Sequence, residues 1–135
     1  MSKIAFITGA SSGIGAACAR KFAKAGYTLL LNARSVDKLQ ALKTELETTY
    51  GTDVLLLPFD VRDRKAAAEA ITTLPERYQA IDVLVNNFGT SNPGKDLDFA
   101  NTDPQIFLDT VDLNLRSVFM ASQAAVKHMA KQGGG

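Results

Sequence analysis

Three glycines near the start of the chain have the spacing of a phosphate-binding turn. The run Thr8-Gly9-Ala10-Ser11-Ser12-Gly13-Ile14-Gly15 lies between an apolar segment that predicts a strand and an amphipathic segment that predicts a helix. The missing side chains of the glycines allow a tight turn, close approach of a pyrophosphate and close packing of the helix on the sheet. The first N–H groups of that helix, at the positive end of its dipole, would face the anion. We therefore expect a dinucleotide to be bound by Gly9, Ser11, Ser12, Gly13, Ile14 and Gly15, and the alternative is a purely structural strand-to-helix turn.

The end of the second apolar segment would decide which dinucleotide binds. An acidic residue there bonds the ribose 2′-hydroxyl, whereas a cation takes a 2′-phosphate. The sequence has Asn32, Ala33 and Arg34, so it offers no carboxylate to repel a phosphate. The planar donors of Arg34 suit a phosphate. The sequence favours NADP(H), with NAD(H) as the alternative; the plainer interpretation of Arg34 is a solvated surface cation.

Four motifs in order give the chain a family resemblance. TGxxxGIG is followed by Asp60-Val61, by Asn86-Asn87-Phe88-Gly89 and by Asn114. In this order they resemble the short-chain dehydrogenase/reductase family over essentially the whole chain. The resemblance implies that Asp60 and Val61 contact adenine, that Asn86, Phe88 and Gly89 belong to the cofactor site, and that Asn114 is the catalytic Asn, which holds a proton-relay water. Phe88 replaces the usual Ala, so its ring needs room near the nicotinamide.

The helical position of Asn114 supports its assignment independently. It lies on the same predicted stripe as Val111, Leu115 and Val118 and is therefore expected to point inward. A buried amide must be hydrogen-bonded. The alternative is a core Asn that its own helix satisfies.

Two branches of the family are recognisable in different parts of the sequence. Up to about Asn87 the chain resembles NADP-dependent hydroxy-acid and serine dehydrogenases. From Phe88, through Asn92 and Pro93, it resembles bacterial hydroxysteroid dehydrogenases. A recombined or designed chain is therefore one interpretation.

The family's catalytic Tyr-x-x-x-Lys pair does not occur in this sequence. In the family, that pair and a Ser catalyse carbonyl reduction. The Lys lowers the pKa of the Tyr, so the phenol can exchange a proton with the substrate at neutral pH. Four residues after the tyrosines, at positions 27, 50 and 78, stand Leu31, Val54 and Asp82. We expect a cofactor-binding half of an enzyme that transfers hydride between NADP(H) and a secondary alcohol or ketone, without turnover by this chain alone. The alternatives are a non-catalytic or engineered fold module and one part of a split oxidoreductase.

Short apolar runs alternate four times with segments of helical period. This pattern predicts one α/β domain over residues 1–135 with a mainly parallel sheet. The resemblance to a dinucleotide-binding oxidoreductase implies a doubly wound sheet in three α/β/α layers with strand order 3-2-1-4, a Rossmann-like fold. The strands are predicted at 3–8, 28–33, 53–58 and 82–85, all apolar enough for interior positions. The helices are predicted over 13–26, 35–51, 63–75 and from Thr102 or Asp103 to the terminal glycines.

The predicted helices have apolar stripes that should face the core. The first carries Ile14, Ala17, Cys18, Phe22 and Ala25 and closes at Gly26. The fourth carries Phe107, Val111, Leu115, Val118, Phe119, Ala125, Val126 and Met129. In the family the fourth strand pairs with a fifth, which this sequence does not contain, so the resemblance implies that the fourth strand becomes an edge. We expect a homo-oligomer joined through the fourth strands or the fourth helices.

Composition excludes several classes of protein. The chain is 46% hydrophobic and 21% charged with a net charge of +1, and its cations are scattered, which argues against a nucleic-acid partner. No apolar run reaches the roughly 20 residues of a membrane span. Cys18 is alone, so it predicts a small buried hydrophobe and a reducing cytoplasm.

The remaining polar residues offer weak candidates for chemistry. His128 is expected to be solvated, and Asp96 and Asp98 to keep their loop soluble. Ser11, Ser12 and Ser122 lack the His and Asp of a hydrolase triad. We expect no metal site.

Overall fold

The computed structural model describes residues 2–91, 94–95 and 97–135, so Asn92, Pro93 and Asp96 lie outside the described residues. The elements in chain order are β1 Ile4–Ile7, α1 Gly13–Lys24, β2 Thr28–Asn32, α2 Val36–Tyr50, β3 Val54–Leu57, α3 Arg64–Thr72, a 3₁₀ turn at Glu76–Tyr78, β4 Ile81–Val85 and α4 Pro104–Gln132. All strand pairs are parallel, in the order β3-β2-β1-β4. The predicted fold class and strand order are confirmed.

Helices cover both faces of the sheet. Successive strand residues point to opposite faces, so Ala5 and Ile7 join one core while Ile4 and Phe6 join the other. The first core includes small residues of α1 and three leucines of α2. The second is completed on the opposite face by Ile71, Leu74 and Tyr78, with Ala124 and Met129 of α4 packed against it. The chain therefore has the three expected layers.

The apolar sequences of all four strands favoured interior positions, but two of the strands are edges, as the predicted strand order and the expected edge at the fourth strand required. β3 and β4 are the edges of the sheet, and only β1 and β2 have a strand on each side. From Asp82 to Val85, β4 is only half-buried. An apolar sequence shows that a strand can be buried, but the topology decides whether it is.

The buried face of α1 differs from the predicted stripe. Its buried residues are Gly15, Ala16, Ala19 and Ala23. Small side chains let the helix approach the sheet closely, whereas Cys18 and Phe22 pack only partly buried against the margin of the core and Ile14 is 75% exposed. Gly26 has the predicted left-handed conformation, with φ +80°.

The third helix is shorter than predicted. α3 ends at Thr72, and Pro75 precedes a separate 3₁₀ turn that brings Tyr78 into the core. The Tyr78 hydroxyl donates to Asp53, 3.0 Å away, just before β3. Leu74 remains buried, as its apolar character indicated.

The predicted apolar stripe of α4 mostly faces outward. Its exposed members are Phe107, Val111, Leu115, Val118, Phe119 and Val126. Two members of the stripe do pack toward the sheet, the buried Ala125 and the half-buried Met129, on the side that also carries the buried Ser117. Helical period identifies an apolar face but not what covers it.

The prediction that His128 is solvated is also wrong. Its ring is half-buried, and Nε2 lies 3.2 Å from the carbonyl oxygen of Ile71.

Candidate functional site

The loops that follow the four strands enclose a groove of about 490 Å³ at the carboxyl ends of the strands. Its lining follows the strand order. Phe59 and Val61 come after β3, Arg34 after β2, the glycine loop after β1, and Phe88 and Gly89 after β4. Neighbouring strands lie about 4.8 Å apart, so the groove crosses about 14 Å of the sheet. Its length suits an extended ligand.

Most of the predicted cofactor residues meet in this groove. They are Gly9, Ser11, Ser12, Gly13, Ile14, Arg34, Val61, Phe88 and Gly89. Gly15, Asp60 and Asn86 are not among its lining residues. The groove also takes in Asn32, Ala33, Phe59 and Asn87.

Two glycines of the loop have different structural roles. Gly13 has φ +53°, and a Cβ placed on it would meet nothing within 4 Å, so this residue leaves open space above the backbone. A Cβ on Gly15 would overlap the carbonyl oxygen of Gly9 and come within 2.6 Å of Nδ2 of Asn87. Gly15 therefore permits the contact between loop and helix, while Gly13 keeps the approach to the loop clear.

The N-terminus of α1 opens toward the groove. Ser12 makes no capping hydrogen bond with its side chain. The first N–H groups of a helix have no partner inside the helix and carry the positive end of its dipole. Ile14 presents its side chain beside them in the groove. Such a terminus can bind an anion with backbone donors alone.

Thr8 and Asn87 join the loop after β4 to the glycine loop. The Thr8 hydroxyl accepts hydrogen bonds from the backbone N–H groups of Asn87, at 3.0 Å, and Phe88, at 3.1 Å. Nδ2 of Asn87 donates to the carbonyl oxygen of Gly9 at 3.0 Å. These bonds hold the two loops together, and the sequence analysis gave neither side chain this role.

Asn86 points to another part of the molecule. Its Nδ2 donates to the hydroxyl of Ser122 on α4 at 3.0 Å. Neighbouring residues of an extended chain point to opposite sides, a signal that separates the two asparagines of the motif. A cofactor contact by Asn86 stays a prediction.

At the end of β2, Asn32 and Arg34 behave differently. Asn32 is 1% exposed, and its Nδ2 donates to the carbonyl oxygens of Leu57 and Phe59, each at 3.0 Å. Its own carbonyl oxygen accepts from the N–H of Ala10 at 2.8 Å. Arg34 is exposed and supplies a cation to the groove lining. No carboxylate occurs among the described lining residues.

Asp60 lies beside the groove and is paired with Arg62. Both carboxylate oxygens accept from the Arg62 guanidinium at 2.6 to 3.0 Å, and Oδ1 also accepts from the Arg62 backbone N–H at 2.9 Å. The hydrogen bond from Arg62 is the main reason that the pKa of the Asp60 carboxyl is lowered, and the charge of Arg34 adds to it. Asp60 is therefore an ionised and already engaged acceptor at neutral pH.

Asn114 fastens the loop after β4 to α4. Its Oδ1 accepts from the N–H of Thr90 at 2.9 Å, and its Nδ2 donates to the carbonyl oxygens of Thr90, at 2.7 Å, and Thr110, at 2.8 Å. The amide is paired, as expected, but mainly with the loop and only partly with its own helix. Asn114 is half-buried, whereas Val111, Leu115 and Val118 of the same stripe are exposed. Its role in proton relay stays a prediction.

The remaining polar candidates either hydrogen-bond within their own loop or lack the neighbouring side chains that a metal site requires. Asp98 accepts from the N–H groups of Ala100 and Asn101 and so caps a turn; the Asn101 amide is the main cause of its lowered pKa. Within the described residues, no group of three His, Cys, Asp or Glu side chains could hold a metal. No described helix has the length and apolar character of a membrane span.

Comparison with known proteins identifies the family. The short chain dehydrogenase family matches residues 3–135. This chain belongs to the short chain dehydrogenases. Among curated members, it is 36% identical to sulfoacetaldehyde reductase 2 of Chromohalobacter salexigens, over 100% of this chain and 52% of that protein. It is also 36% identical to a 7alpha-hydroxysteroid dehydrogenase of Bacteroides fragilis, over 99% of this chain and 51% of that protein.

Solved structures of the same family share the fold. An alcohol dehydrogenase from the archaeon Thermococcus sibiricus, complexed with 5-hydroxy-NADP, superposes with a TM-score of 0.88 at 34% identity, over 99% of this chain and 56% of that one. Serine dehydrogenase from Escherichia coli gives a TM-score of 0.80 at 28% identity, over 98% of this chain and 58% of that one. This short chain dehydrogenase spans about half the length of the curated relatives it matches.

Proposed function

We propose that this chain is the NADP(H)-binding half of a short-chain dehydrogenase/reductase whose reaction is hydride transfer between NADP(H) and a secondary alcohol or ketone. The observation that carries the proposal is the groove itself. A helix N-terminus with free donors and an unobstructed Gly13 face the same space as Arg34. The first suits a diphosphate and the second a 2′-phosphate.

The residues present fit such a cofactor without rearrangement of the glycine loop. Positive φ at Gly9 and Gly13 and the tight contact at Gly15 already give the loop its turn. When bound, NADP(H) would supply the hydride, while the chain binds the phosphates and Asn114 holds the loop at Thr90. The backbone N–H of Phe88 is engaged by the Thr8 hydroxyl, and Phe88 lines the groove beside Gly89.

Three lines of comparison support NADP(H) over NAD(H). The T. sibiricus enzyme has 5-hydroxy-NADP bound, a metagenomic family member has NADP, and L-sorbose reductase from Gluconobacter frateurii has NADPH. They are 30 to 34% identical to this chain. With Arg34 in the groove and no described carboxylate there, we assign the same preference to this chain and keep NAD(H) as a weaker ligand.

We further propose that this chain binds the cofactor without turnover. The family's Tyr-x-x-x-Lys pair does not occur in its sequence, so it has no phenol activated for proton exchange. Purified chain should therefore bind NADPH and show no cofactor-dependent reduction of ketones. Turnover that follows the protein through repeated purification would contradict this part of the proposal.

Titration with both coenzymes tests the binding assignment. NADPH should bind more tightly than NADH, and Arg34→Asp should narrow or reverse the preference, because a charge-assisted pair of about 1.5–3 kcal/mol is lost. Lys127→Asp is the matched control. It makes the same change in net charge on α4, at a residue outside the groove lining, and should leave the preference intact.

The titration also separates the two classes of function. A scaffold without a ligand has no reason to prefer either coenzyme. Equal affinity for NADPH and NADH in the unaltered chain would defeat the assignment of Arg34. No binding of either would favour a non-catalytic module.

A further inference from the structure

Asn32, at the end of β2, holds an amide whose direction is fixed by the protein. Its side chain is 1% exposed, and Nδ2 donates to two backbone carbonyl oxygens, those of Leu57 and Phe59. Only the NH₂ group of an amide can satisfy two carbonyls, so the positions of nitrogen and oxygen are unambiguous. The neighbours therefore leave Oδ1 as the free arm of this amide.

Oδ1 of Asn32 is a hydrogen-bond acceptor without a donor among the described residues. Every fully enclosed side-chain nitrogen or oxygen in the described part of the chain has a hydrogen-bond partner. The hydrogen bonds of Asn32 within that part all use Nδ2 or the backbone, so Oδ1 keeps contact with open space. Since Asn32 lines the groove, that space is the groove. A ligand that fills this space excludes water from Oδ1, and an acceptor enclosed without a partner is costly, which favours a donor on the ligand.

The order of the loops indicates which part of the ligand meets Oδ1. The diphosphate belongs at the glycine loop after β1, and the 2′-phosphate at Arg34 after β2. The base then lies at the β3 end, where Phe59 and Val61 line the groove and Asn32 is bonded to the β3 backbone. Adenine has a single hydrogen-bond donor group, its 6-amino group.

Asp60, to which the family resemblance gives the adenine contact, is already occupied. Both of its carboxylate oxygens are engaged by Arg62, and it is absent from the described groove lining. We infer that Oδ1 of Asn32 accepts a hydrogen bond from the adenine 6-amino group and makes this chain select adenine over a 6-oxo purine. The inference rests on the proposed function, because it takes the NADP(H) groove as its starting point.

A coenzyme with an altered base tests this role. The probe is the reduced nicotinamide hypoxanthine dinucleotide phosphate, which carries an oxygen in place of the 6-amino group. Two acceptors would then face each other, and we expect about tenfold weaker binding than for NADPH. The difference should fall below about twofold in Asn32→Ala and persist in the matched variant Asp60→Asn. Far-UV circular dichroism and thermal unfolding verify that each variant is folded.

The outcomes separate this inference from the proposed function. Equal affinity of the unaltered chain for NADPH and for the hypoxanthine coenzyme overturns the inference but not the proposed function. This outcome needs no variant. If Asn32→Ala does not fold, Asn32→Ser replaces it as the second variant. A difference that survives in Asn32→Ala and disappears in Asp60→Asn also overturns it, in favour of Asp60. A merely structural Asn32 would weaken both coenzymes equally and leave their ratio unchanged, which contradicts the inference. Failure of the unaltered chain to bind NADPH at all defeats the proposed function with it.

Discussion

Gly13 and Gly15 belong to one motif, but a side chain is excluded at each of them for a different physical reason. Gly13 combines a left-handed backbone with open space in the groove, and Gly15 lies against the carbonyl of Gly9. A side chain at position 13 would strain the backbone and occupy the approach of the diphosphate. One at position 15 would force the loop and helix apart.

Gly13→Val should abolish binding of NADPH and NADH while the protein stays folded. The matched control is Gly51→Val, because Gly51 also has a positive φ, +64°, and open space around its Cβ, but closes α2 away from the groove. Both variants cost about 1–2 kcal/mol in backbone strain. Calorimetric titration should find binding lost only in Gly13→Val, and a folded Gly13→Val that binds normally would contradict the phosphate-loop assignment.

Gly15→Ala should destabilise the fold itself. The overlap with backbone is of the kind that costs about 1–3 kcal/mol in a packed interior. Its melting temperature should fall by several degrees, whereas Gly134→Ala, which meets nothing within 4 Å, should leave it unchanged. An unchanged melting temperature in Gly15→Ala would mean that the loop and helix separate freely.

At the scale of elements, side chains fasten the loops around the groove to the helices. Asn114 bonds both the N–H and the carbonyl of Thr90, so α4 holds the loop after β4. The Asp60–Arg62 pair closes the turn between β3 and α3, and Oδ1 of Asp60 also accepts from the Arg62 backbone. The shape of the groove thus depends on contacts that lie outside it.

Loss of the Asn114 amide should loosen the loop after β4. In Asn114→Ala the Thr90 amide proton loses its acceptor, so its hydrogen exchange should accelerate severalfold. Asn114→Asp keeps an acceptor oxygen and should retain most of the protection. Exchange measured by NMR decides this, and equal exchange in all three proteins would show that the loop is held by other contacts.

The Asp60–Arg62 pair should make stability depend on pH in one direction. The folded-state pKa of Asp60 lies below its ordinary value of 3.8. Its contribution is therefore full above that ordinary value and is lost as the pH falls through the folded-state pKa. Arg62→Leu should lower the melting temperature by a few degrees at most at pH 7, because the pair is substantially exposed. The difference from the unaltered chain should shrink as the pH falls below 3.8 and through the folded-state pKa of Asp60, and a difference that grows in acid would contradict the pairing.

At the scale of the whole molecule, two apolar surfaces lack a partner within the described chain. β4 is an edge strand of Ile81, Asp82, Val83, Leu84 and Val85, without Pro or Lys to protect it. The outer face of α4 exposes Leu115 by 67% and Phe119 by 64%. Contiguous apolar surface of this kind favours association.

We therefore expect a homodimer or larger oligomer at micromolar concentration, related by a two-fold axis through the β4 edges or the α4 faces. Phe119→Asp should shift the distribution toward monomer if α4 forms the contact, and Val83→Lys should do so if β4 does. Lys131→Asp, on α4 but outside the apolar face, is the control. Sedimentation velocity provides the measurement, and a stable monomer of the unaltered chain would contradict the expectation.

Features that depend on a few neighbouring residues were predictable from the amino-acid sequence. Caps at Ser35, Asp63 and Asp103 accept the N–H bonds that their residue types predict, and Gly9, Gly13 and Gly26 have the positive φ that glycine permits. Alternation of apolar segments predicted a parallel sheet, and the resemblance carried by the glycine loop and the later motifs added the order β3-β2-β1-β4 with its right-handed crossovers. Glycine spacing and the residue type at Arg34 similarly indicated the groove.

The partner of each side chain, in contrast, depends on how distant segments pack in the folded chain. It separated Asn86 from Asn87, engaged Asp60 with Arg62, buried Asn32 against β3 and turned the apolar stripe of α4 outward. Periodicity reports which residues share a face, since that follows from local backbone geometry. What lies against that face depends on segments 25 to 79 residues away, as in the bonds from Asn32 to Leu57 and from Asn87 to Thr8, and no local pattern encodes such a distance.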